Sequence, residues 1–241
     1  MNRETTNRIR FVIEELLPPA LRDSAIFLWL AKRVWGDHIL HLAEFRARAP
    51  FLTEEEYAAL YREHPRVHAG TDNSTACVRR INQMVTGSSV CDVGCGTGAL
   101  LAHIHADHPR LTRLVGVDFV VQDAAGIPGV EYIAAKIENL PFEDNEFDTV
   151  VCTHVIEHVL EYQAAIAELR RITRKRLIVV VPREREYRYT FNPHFNFFPY
   201  THSFLRAVHP VPVAYVCEDI GRDIFYCEDK PEQEELHARH A

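Results

Sequence analysis

The residues best suited to chemistry are an acid and three glycines at alternate positions. Asp92 closes a short apolar run, and Gly94, Gly96 and Gly98 come after it, ahead of a helical pattern that begins at Ala99. Glycine permits a tight turn and lets a ligand lie almost on the main chain, and the start of a helix presents free N–H groups to that ligand. A turn of this kind at the end of a strand predicts a nucleotide-binding site.

The acid distinguishes this loop from the dinucleotide-binding pattern Gly-x-Gly-x-x-Gly, which receives a pyrophosphate. The Asp92 carboxylate would repel phosphate, whereas it suits a ligand that carries an ammonium or a sulfonium group. About twenty residues further along, a second apolar run ends in Asp118, the position from which an acid holds ribose hydroxyls. A nucleoside joined to an amino acid describes S-adenosylmethionine, which we predict as the cofactor. A tight turn without a ligand is the alternative.

These segments resemble the class I S-adenosylmethionine-dependent methyltransferases, in particular the broad small-molecule group. The resemblance covers about residues 85–185 and rests on residues 90–98, 115–119, 138–142 with 147–148, 154–159 and 177–182. It implies a Rossmann-like fold and the same cofactor. The residues predicted to bind the cofactor are Asp92, Gly94, Cys95, Gly96, Gly98, Asp118, Phe119, Ile137 and His154. Many resembling enzymes have an aspartate for the adenine amino group where this chain has Lys136, so we assign that contact to the backbone near Ile137.

Polar residues that could act on an acceptor follow the fourth predicted strand, in the order His154, Glu157 and His158. Methyl transfer is an in-line displacement, so the protein must exclude water, align the nucleophile and accept its proton. Histidine suits proton transfer near pH 7, and we predict His158 and His154 as the catalytic bases. The alternative is a structural role, because the resembling enzymes often carry Glu-His here as polar residues at a helix start.

The same residues have side chains of the kind that bind metal ions. Glu157, His158 and His154, with a later histidine such as His194 or His202, faintly resemble the cluster of the small-RNA 2′-O-methyltransferases. Those enzymes have Glu-x-x-Glu-His, whereas this chain has histidine at the first place. We therefore predict no metal ion and keep a metal-binding cluster as an alternative.

Aromatic, histidine and arginine side chains are concentrated in residues 183–202, where the resembling enzymes have substrate-selecting insertions. This segment predicts a pocket wall that stacks a ring or a sugar and binds an anionic group through arginine. The residues predicted to contact the substrate are Arg183, Arg185, Tyr187, His194 and His202. The alternative is a solvated loop in which the charged residues 183–186 pair with one another.

Composition and net charge disfavour several classes of protein. The 241 residues carry a net charge of −7 and include only four lysines, which disfavours a nucleic-acid partner. Six cysteines lie at irregular spacings without a Cys-x-x-Cys pair, which argues against a zinc site or a disulfide framework and fits the cytoplasm. The apolar run 25–31 is too short to span a bilayer, and we interpret it as a buried helix segment.

The candidate site residues must be positioned by the secondary structure, and the sequence pattern alternates between strands and helices. Residues 1–70 are predicted to form a helical cap, in which Thr53 and Glu56 make a capping box, and residues 71–241 the methyltransferase domain with an insertion at about 183–202. The predicted strands are 89–93, 114–118, 130–134, 149–153 and 177–181 with a hairpin of 213–217 and 224–227, and helices are predicted from Ala99, near Val121 and over 162–172. This order predicts an α/β fold with a Rossmann-like, seven-stranded, mostly parallel sheet and helices on both faces. The resemblance implies that the last strand is antiparallel.

The sequence therefore predicts an enzyme that moves the methyl group of S-adenosylmethionine to a small molecule, with oxygen favoured over nitrogen or carbon. A biosynthetic intermediate or a sugar-bearing metabolite is the expected acceptor. An RNA 2′-O-methyltransferase and a non-catalytic cofactor-binding partner protein are the alternatives, and no oligomeric state is predicted.

Overall fold

The computed structural model describes residues 11–36, 45–53, 55–57, 59, 70–121, 127–186, 188–189 and 193–230. Its strands are β1 (Ser89–Val93), β2 (Arg113–Asp118), β3 (Val130–Ala134), β4 (Phe147–Thr153), β5 (Thr173–Pro182), β6 (Tyr215–Ile220) and β7 (Asp223–Asp229). They form one seven-stranded sheet in the order β3-β2-β1-β4-β5-β7-β6. The first five strands pair in parallel, while β7 is antiparallel to both of its neighbours. The predicted sheet with an antiparallel last strand is confirmed.

The strand order creates a crevice beside β1. This strand lies between β2 and β4, and its register places Asp92 next to Gly116 on one side and Val151 on the other. In open α/β sheets, the loops that leave the carboxyl ends of such neighbouring strands diverge and make room for a ligand. The glycine loop after β1 and His154 after β4 therefore lie at the same edge of the sheet.

Helices complete the structure around this sheet. They are α1 (Pro19–Arg22), α2 (Ala25–Trp35), α3 (Phe45–Arg48), α4 (Thr75–Met84), α5 (Ala99–Asp107), α6 (Tyr162–Ile172) and α7 (Thr201–Ala207), with 3₁₀ turns at Ala49–Phe51 and Ile156–His158 and a π-helical turn at Val12–Leu16. Side chains of α4 and α5 share one core cluster with Val151, and side chains of α6 and α7 share another with Val150. Because successive strand side chains point to opposite faces, the central strands are apolar along their whole length.

The capping box predicted at Thr53 and Glu56 is present. Thr53 Oγ1 accepts a hydrogen bond from the N–H of Glu56 at 3.3 Å, and Glu56 Oε2 accepts one from the N–H of Thr53 at 2.8 Å. At the start of α4, Ser74 Oγ accepts from the N–H of Cys77 at 3.2 Å. The helix expected near Val121 is not confirmed, because Val121 itself is irregular and residues 122–126 lie outside the described residues.

The interpretation of residues 25–31 as a buried helix segment is wrong. They form the first turns of α2, in which Ile26, Trp29 and Leu30 are 65%, 55% and 49% exposed while Ala31 is buried. An apolar run is compatible with a helix, but which faces of that helix are buried depends on the segments that pack against it, and the run does not specify those segments. No helix formed by the described residues is long and apolar enough to cross a membrane. The division into a cap and a catalytic domain at residue 70 stays a prediction.

Candidate functional site

The glycine loop between β1 and α5 is fixed against β2 by main-chain hydrogen bonds. The N–H groups of Gly94 and Cys95 donate to the carbonyl oxygen of Val117 at 2.7 and 2.9 Å. Gly94 and Gly98 have φ angles of +81° and +79°, in the left-handed region that side chains disfavour. A Cβ atom on Gly94 would lie 2.0 Å from Cγ2 of Val155. This position therefore requires glycine both for its backbone conformation and for space.

Asp118 ends β2 and connects that strand to the glycine loop. Its Oδ2 accepts a hydrogen bond from the N–H of Gly96 at 2.8 Å, and its Oδ1 accepts one from the N–H of Val120 at 3.2 Å. A carboxylate offers about four lone-pair sites, so both oxygens keep capacity for further donors such as ribose hydroxyls. The next residue, Phe119, is 36% exposed, and Nζ of Lys136 lies 6.0 Å from the centre of its ring.

Asp92 is buried in β1 beside the loop. The residue is 1% exposed, and its Oδ1 has no hydrogen-bond partner among the residues that the structure describes. Burial, followed by the negative charge of Asp118, raises the pKa of Asp92 from 3.8 to about 7. A nearby positive charge stabilises the ionised form of such a carboxyl group. This environment fits the predicted ligand with an ammonium or sulfonium group.

His154 follows β4 in a strained backbone conformation. Its φ angle is +56°, which is uncommon for residues other than glycine and is often found at functional sites. Nδ1 of His154 lies 3.5 Å from Oε1 of Glu157, and Nε2 lies 3.8 Å from Oδ1 of Asp223. Both of these acids are buried, so the imidazole ring of His154 is placed between two carboxylates.

Glu157, His158 and His194 form a compact group at this edge of the sheet, which we name the polar cluster. Their ligand-type atoms all lie within 4.8 Å of one another, and the two imidazole rings meet edge to face with centroids 4.7 Å apart. Burial, followed by the nearby His194, lowers the pKa of His158 from 6.5 to about 4. His158 is therefore neutral near pH 7 and a weak proton acceptor. Its role as a catalytic base stays a prediction, as does that of His154.

Neighbouring acceptors orient both histidines of the polar cluster. Nδ1 of His194 lies 2.5 Å from Oε2 of Glu184, a residue that is 2% exposed. Nδ1 of His158 lies 2.9 Å from the carbonyl oxygen of Pro193. Each ring is thus held through one nitrogen, and any further contact of the ring falls to Nε2.

Residues from the N-terminal part of the chain pack against this site. The hydroxyl of Tyr57 donates to the carbonyl oxygen of His158 at 2.5 Å. The ring of Phe45 stacks on Phe195 with centroids 5.0 Å apart. These contacts place Phe45 and Tyr57 against the segments that follow β5 and β4.

The charged residues directly after β5 pair with distant segments and not with one another. Nη1 of Arg183 lies 2.9 Å from Oδ2 of Asp219 in β6, and Nη2 of Arg185 lies 3.4 Å from Oε2 of Glu15. The alternative of mutual pairing within residues 183–186 is therefore wrong. Because both guanidinium groups already have carboxylate partners, their capacity to bind an anionic acceptor is reduced.

The remaining predicted residues occupy different surroundings. Cys95 and Ile137 are each 8% exposed and belong to the core clusters. His202 is exposed on α7 and stacks on Tyr200 with centroids 5.0 Å apart, outside the polar cluster. The later histidine that joins Glu157 in the structure is thus His194. Tyr187 lies outside the described residues.

Sequence reasoning missed three buried groups at this edge, namely Tyr132, Glu184 and Asp223. The hydroxyl of Tyr132 is buried without a hydrogen-bond partner in the described part of the chain, and a Cβ atom on Gly98 would lie 2.3 Å from it. Glu184 and Asp223 follow or begin strands, so an inspection of polar residues at strand ends could have found them. Tyr132 gives no such signal, because it reaches the loop from the middle of β3.

Comparison with known proteins places the region from β1 to β5 among methyltransferases. The family described as "Methyltransferase domain" matches residues 91–181. An uncharacterized protein of Methanocaldococcus jannaschii is 53% identical over 94 residues, which cover 38% of this chain and 40% of that protein. A caffeic acid 3-O-methyltransferase of Clarkia breweri is 31% identical over 112 residues, which cover 41% of this chain and 30% of that enzyme. The chain thus spans less than half the length of these curated relatives.

A solved structure shares the architecture over a larger part of the chain. The crystal structure of a SAM dependent methyltransferase from Aquifex aeolicus superposes with a TM-score of 0.51 at 17% identity. The superposition covers 63% of this chain and 87% of that chain. At this level of identity the likeness shows a common fold, in agreement with the strand order described above.

Proposed function

We propose that this chain, which carries a class I S-adenosylmethionine-dependent methyltransferase domain, transfers the methyl group of that cofactor to an oxygen atom of a small acceptor molecule. The observation that carries the proposal is the cradle at the ends of β1 and β2. There the glycine loop would let a ligand approach the main chain, Asp118 accepts a hydrogen bond from the N–H of Gly96 in that loop, and a buried oxygen of Asp92 has no partner in the described chain. These features suit a cationic nucleoside better than a phosphate.

The groups beside the cradle support the transfer step. His154 and the polar cluster follow β4 and β5, at the edge of the sheet where the cofactor would present its methyl group. Phe45 and Tyr57 pack against the same region and would limit the access of water to the reacting atoms. Alignment and exclusion of water are the main requirements of an in-line methyl transfer.

An aromatic or hydroxyl-rich small molecule fits the surroundings of the cluster best. The wall after β5 offers Phe195 and Phe197, and Arg183 and Arg185 are paired with carboxylates. The relative from Clarkia breweri is named as a caffeic acid 3-O-methyltransferase, which supports oxygen as the acceptor atom. The net charge of −7 weighs against the RNA alternative, since RNA binding relies on basic residues.

Replacement of Asp118 by asparagine is expected to weaken the binding of S-adenosylmethionine about 10- to 100-fold, because hydrogen bonds to a charged group contribute about 1.5–3 kcal/mol. The substitution removes the charge that supports the N–H of Gly96 and would hold the ribose. Isothermal titration calorimetry of both proteins measures the effect. Asp144→Asn is the matched control, since the side chain of Asp144 is 73% exposed and lies far from the loop in sequence. Equal affinities of the wild type and Asp118→Asn would contradict the assigned cradle.

Turnover decides between the proposed acceptor and its rivals. Release of S-adenosylhomocysteine is measured with separate pools of phenols, sugars and RNA, and the proposal expects release with one of the first two. Salt-sensitive turnover with RNA alone would favour the RNA methyltransferase. Cofactor binding without release in any pool would favour a non-catalytic partner protein.

A further inference from the structure

The polar cluster has the composition and arrangement of a metal site. We propose that Glu157, His158 and His194 bind one divalent transition-metal ion of the Zn²⁺ type, through one carboxylate and two imidazole nitrogens. The sequence alone favours the opposite expectation, because histidine stands at the first place of the Glu-x-x-Glu-His pattern, and a metal-binding cluster is only its alternative. The assignment of the ion stands without the proposed function, and only its part in catalysis rests on that function.

The orientation of the two histidines is the first argument. Nδ1 of His194 is held by the buried carboxylate of Glu184 at 2.5 Å, and Nδ1 of His158 by the carbonyl oxygen of Pro193 at 2.9 Å. Histidines that bind metal ions usually donate their other ring N–H to a carboxylate or a backbone carbonyl in this way, which fixes both the tautomer and the ring. The remaining nitrogen, Nε2, then carries the lone pair. For His158 this atom lies 4.0 Å from Oε1 of Glu157.

The buried acid is the second argument. Glu157 is 1% exposed, and its Oε2 has no hydrogen-bond partner among the described residues. Among the described residues, the groups within salt-bridge distance of Glu157 are two histidines, His154 at 3.5 Å and His158 at 4.0 Å. A buried carboxylate with an oxygen that lacks a hydrogen-bond partner is costly unless a cation offsets its charge. A metal ion at the centre of the cluster would supply that charge.

The distances allow such an ion with small movements. The three ligand-type atoms lie within 4.8 Å of one another, whereas ligands at about 2.0–2.2 Å from Zn²⁺ lie somewhat closer together. Two imidazole nitrogens and one carboxylate suit Zn²⁺ and its transition-metal neighbours, while Mg²⁺ and Ca²⁺ prefer oxygen ligands alone. Three protein ligands are typical of zinc sites that keep a position open for a substrate or water.

The position of the site gives the ion a chemical use. The polar cluster follows β4 and β5 at the edge where the cradle lies, next to His154. A metal ion of this type lowers the pKa of a water molecule or hydroxyl group whose oxygen it binds. It would therefore help a hydroxyl acceptor to lose its proton. His154 then acts as a positioning residue, because its Nδ1 lies 3.5 Å from the carboxylate of Glu157.

Calorimetric titration of the full chain with ZnCl₂ tests the proposal directly. The protein is prepared without a histidine tag and stripped with a chelator. We expect one equivalent of Zn²⁺ to bind with a dissociation constant of about 1 µM or tighter, and Mg²⁺ to bind at least about 100-fold more weakly, given the preference of imidazole for transition metals. Absence of Zn²⁺ binding to the folded wild type would overturn the proposal.

Substitutions locate the site. Glu157→Gln and His194→Asn are each expected to weaken Zn²⁺ binding about 100-fold or more, and Glu184→Gln about 10- to 100-fold, because it orients a ligand. His105→Asn, on the exposed side of α5, is the matched control and should bind Zn²⁺ like the wild type. If Glu157→Gln and His194→Asn bind Zn²⁺ as His105→Asn does, the ion lies elsewhere and the assignment is wrong.

A parallel titration with S-adenosylhomocysteine separates this inference from the proposed function. All four variants should bind the nucleoside like the wild type, since none of the substituted residues belongs to the cradle. Nucleoside binding without Zn²⁺ binding would remove the metal site and leave the proposed function. Zn²⁺ binding without nucleoside binding would leave the metal site and contradict the proposed function.

Discussion

Replacement of Asp92 by asparagine is expected to make the protein more stable at about pH 8, by about 1–4 kcal/mol, and to weaken the binding of S-adenosylmethionine about 10- to 100-fold. Both effects have one cause, which is that the carboxyl group of Asp92 is buried in the protein without ligand. Burial and the charge of Asp118 raise the pKa of Asp92 from 3.8 to about 7. The folded protein without ligand must therefore ionise a group that the unfolded chain ionises easily.

The sign of the pH dependence follows from this difference. Between about pH 4 and about pH 7 the folded state holds the Asp92 proton while the unfolded state has lost it, so stability falls as the pH rises through this window. Each unit of difference corresponds to about 1.4 kcal/mol, which gives a penalty of up to about 4 kcal/mol above pH 7. Asparagine carries no charge and avoids the penalty. Chemical denaturation of both proteins at about pH 5 and about pH 8 measures the difference.

The affinity for the cofactor should increase with pH, whereas the stability of the protein without ligand decreases. The sulfonium and ammonium groups of S-adenosylmethionine favour the ionised form of Asp92, so binding below about pH 7 should release a proton and grow stronger as the pH rises. In Asp92→Asn this pH dependence should be largely absent. Calorimetry in two buffers of different ionisation enthalpy detects the released proton. Equal proton release by the two proteins would show that another group is responsible.

Asp148→Asn is the matched control, because Asp148 is an equally buried aspartate in the same sheet. It is 2% exposed, but its Oδ2 accepts from the N–H of Ser88 at 2.8 Å and its Oδ1 lies 2.8 and 3.1 Å from Arg174 and Lys175. Although burial opposes ionisation, these donors hold the pKa of Asp148 well below its usual range. Its contribution to stability is therefore lost as the pH falls through that lowered value. We expect Asp148→Asn to lose about 1–3 kcal/mol and to bind the cofactor normally.

The contrast between Asp92 and Asp148 shows which properties of a site can be predicted from the sequence. The glycine loop, the acids at the ends of β1 and β2 and the exact span of α6 follow from local patterns of glycine spacing and apolar periodicity. The antiparallel orientation of β7 is implied by the resemblance to class I methyltransferases. The burial of Asp92 and the lack of a hydrogen-bond partner for its Oδ1 among the described residues do not follow from such patterns, because they depend on how β2 and β4 pack on both sides of β1. The sequence shows an acid next to a loop, and only the packing determines its pKa.

The polar cluster illustrates the same limit at longer range. The position of His154 and His158 after β4 predicts them as site residues, and Glu157 enters only through the alternative of a metal-binding cluster. The pairing of His194 with Glu184 arises because the chain after β5 folds back over the end of β4, and no local pattern in residues 183–194 encodes that return. Likewise, the apolar side chains at the start of α2 predict a helix but not the exposure of Ile26 and Trp29. Elements are encoded locally, whereas contacts between loops require the assembled sheet.

Gly94→Ala is expected to cost about 3–5 kcal/mol of stability and to weaken cofactor binding at least about 100-fold. The substitution imposes two separate penalties. Alanine must adopt a φ angle of +81°, and its Cβ would lie 2.0 Å from Cγ2 of Val155, so the loop or the segment after β4 must move. Movement of the loop would displace its N–H groups, and movement of the segment after β4 would displace His154 beside it.

Two further proteins separate the two penalties. Gly129→Ala has the same backbone strain, with a φ angle of +85°, but its Cβ would meet no described atom within 4 Å, so we expect a loss of only about 1–2 kcal/mol. In the double variant Gly94→Ala with Val155→Ala, the obstructing Cγ2 is absent, and the coupling between the substitutions should be at least about 1 kcal/mol in the favourable direction. Thermal and denaturant unfolding give the stabilities, and calorimetry gives the affinity for S-adenosylhomocysteine. If Gly94→Ala behaves like Gly129→Ala and gains nothing from Val155→Ala, the loop does not need glycine for close approach, and the cradle loses its main geometric support.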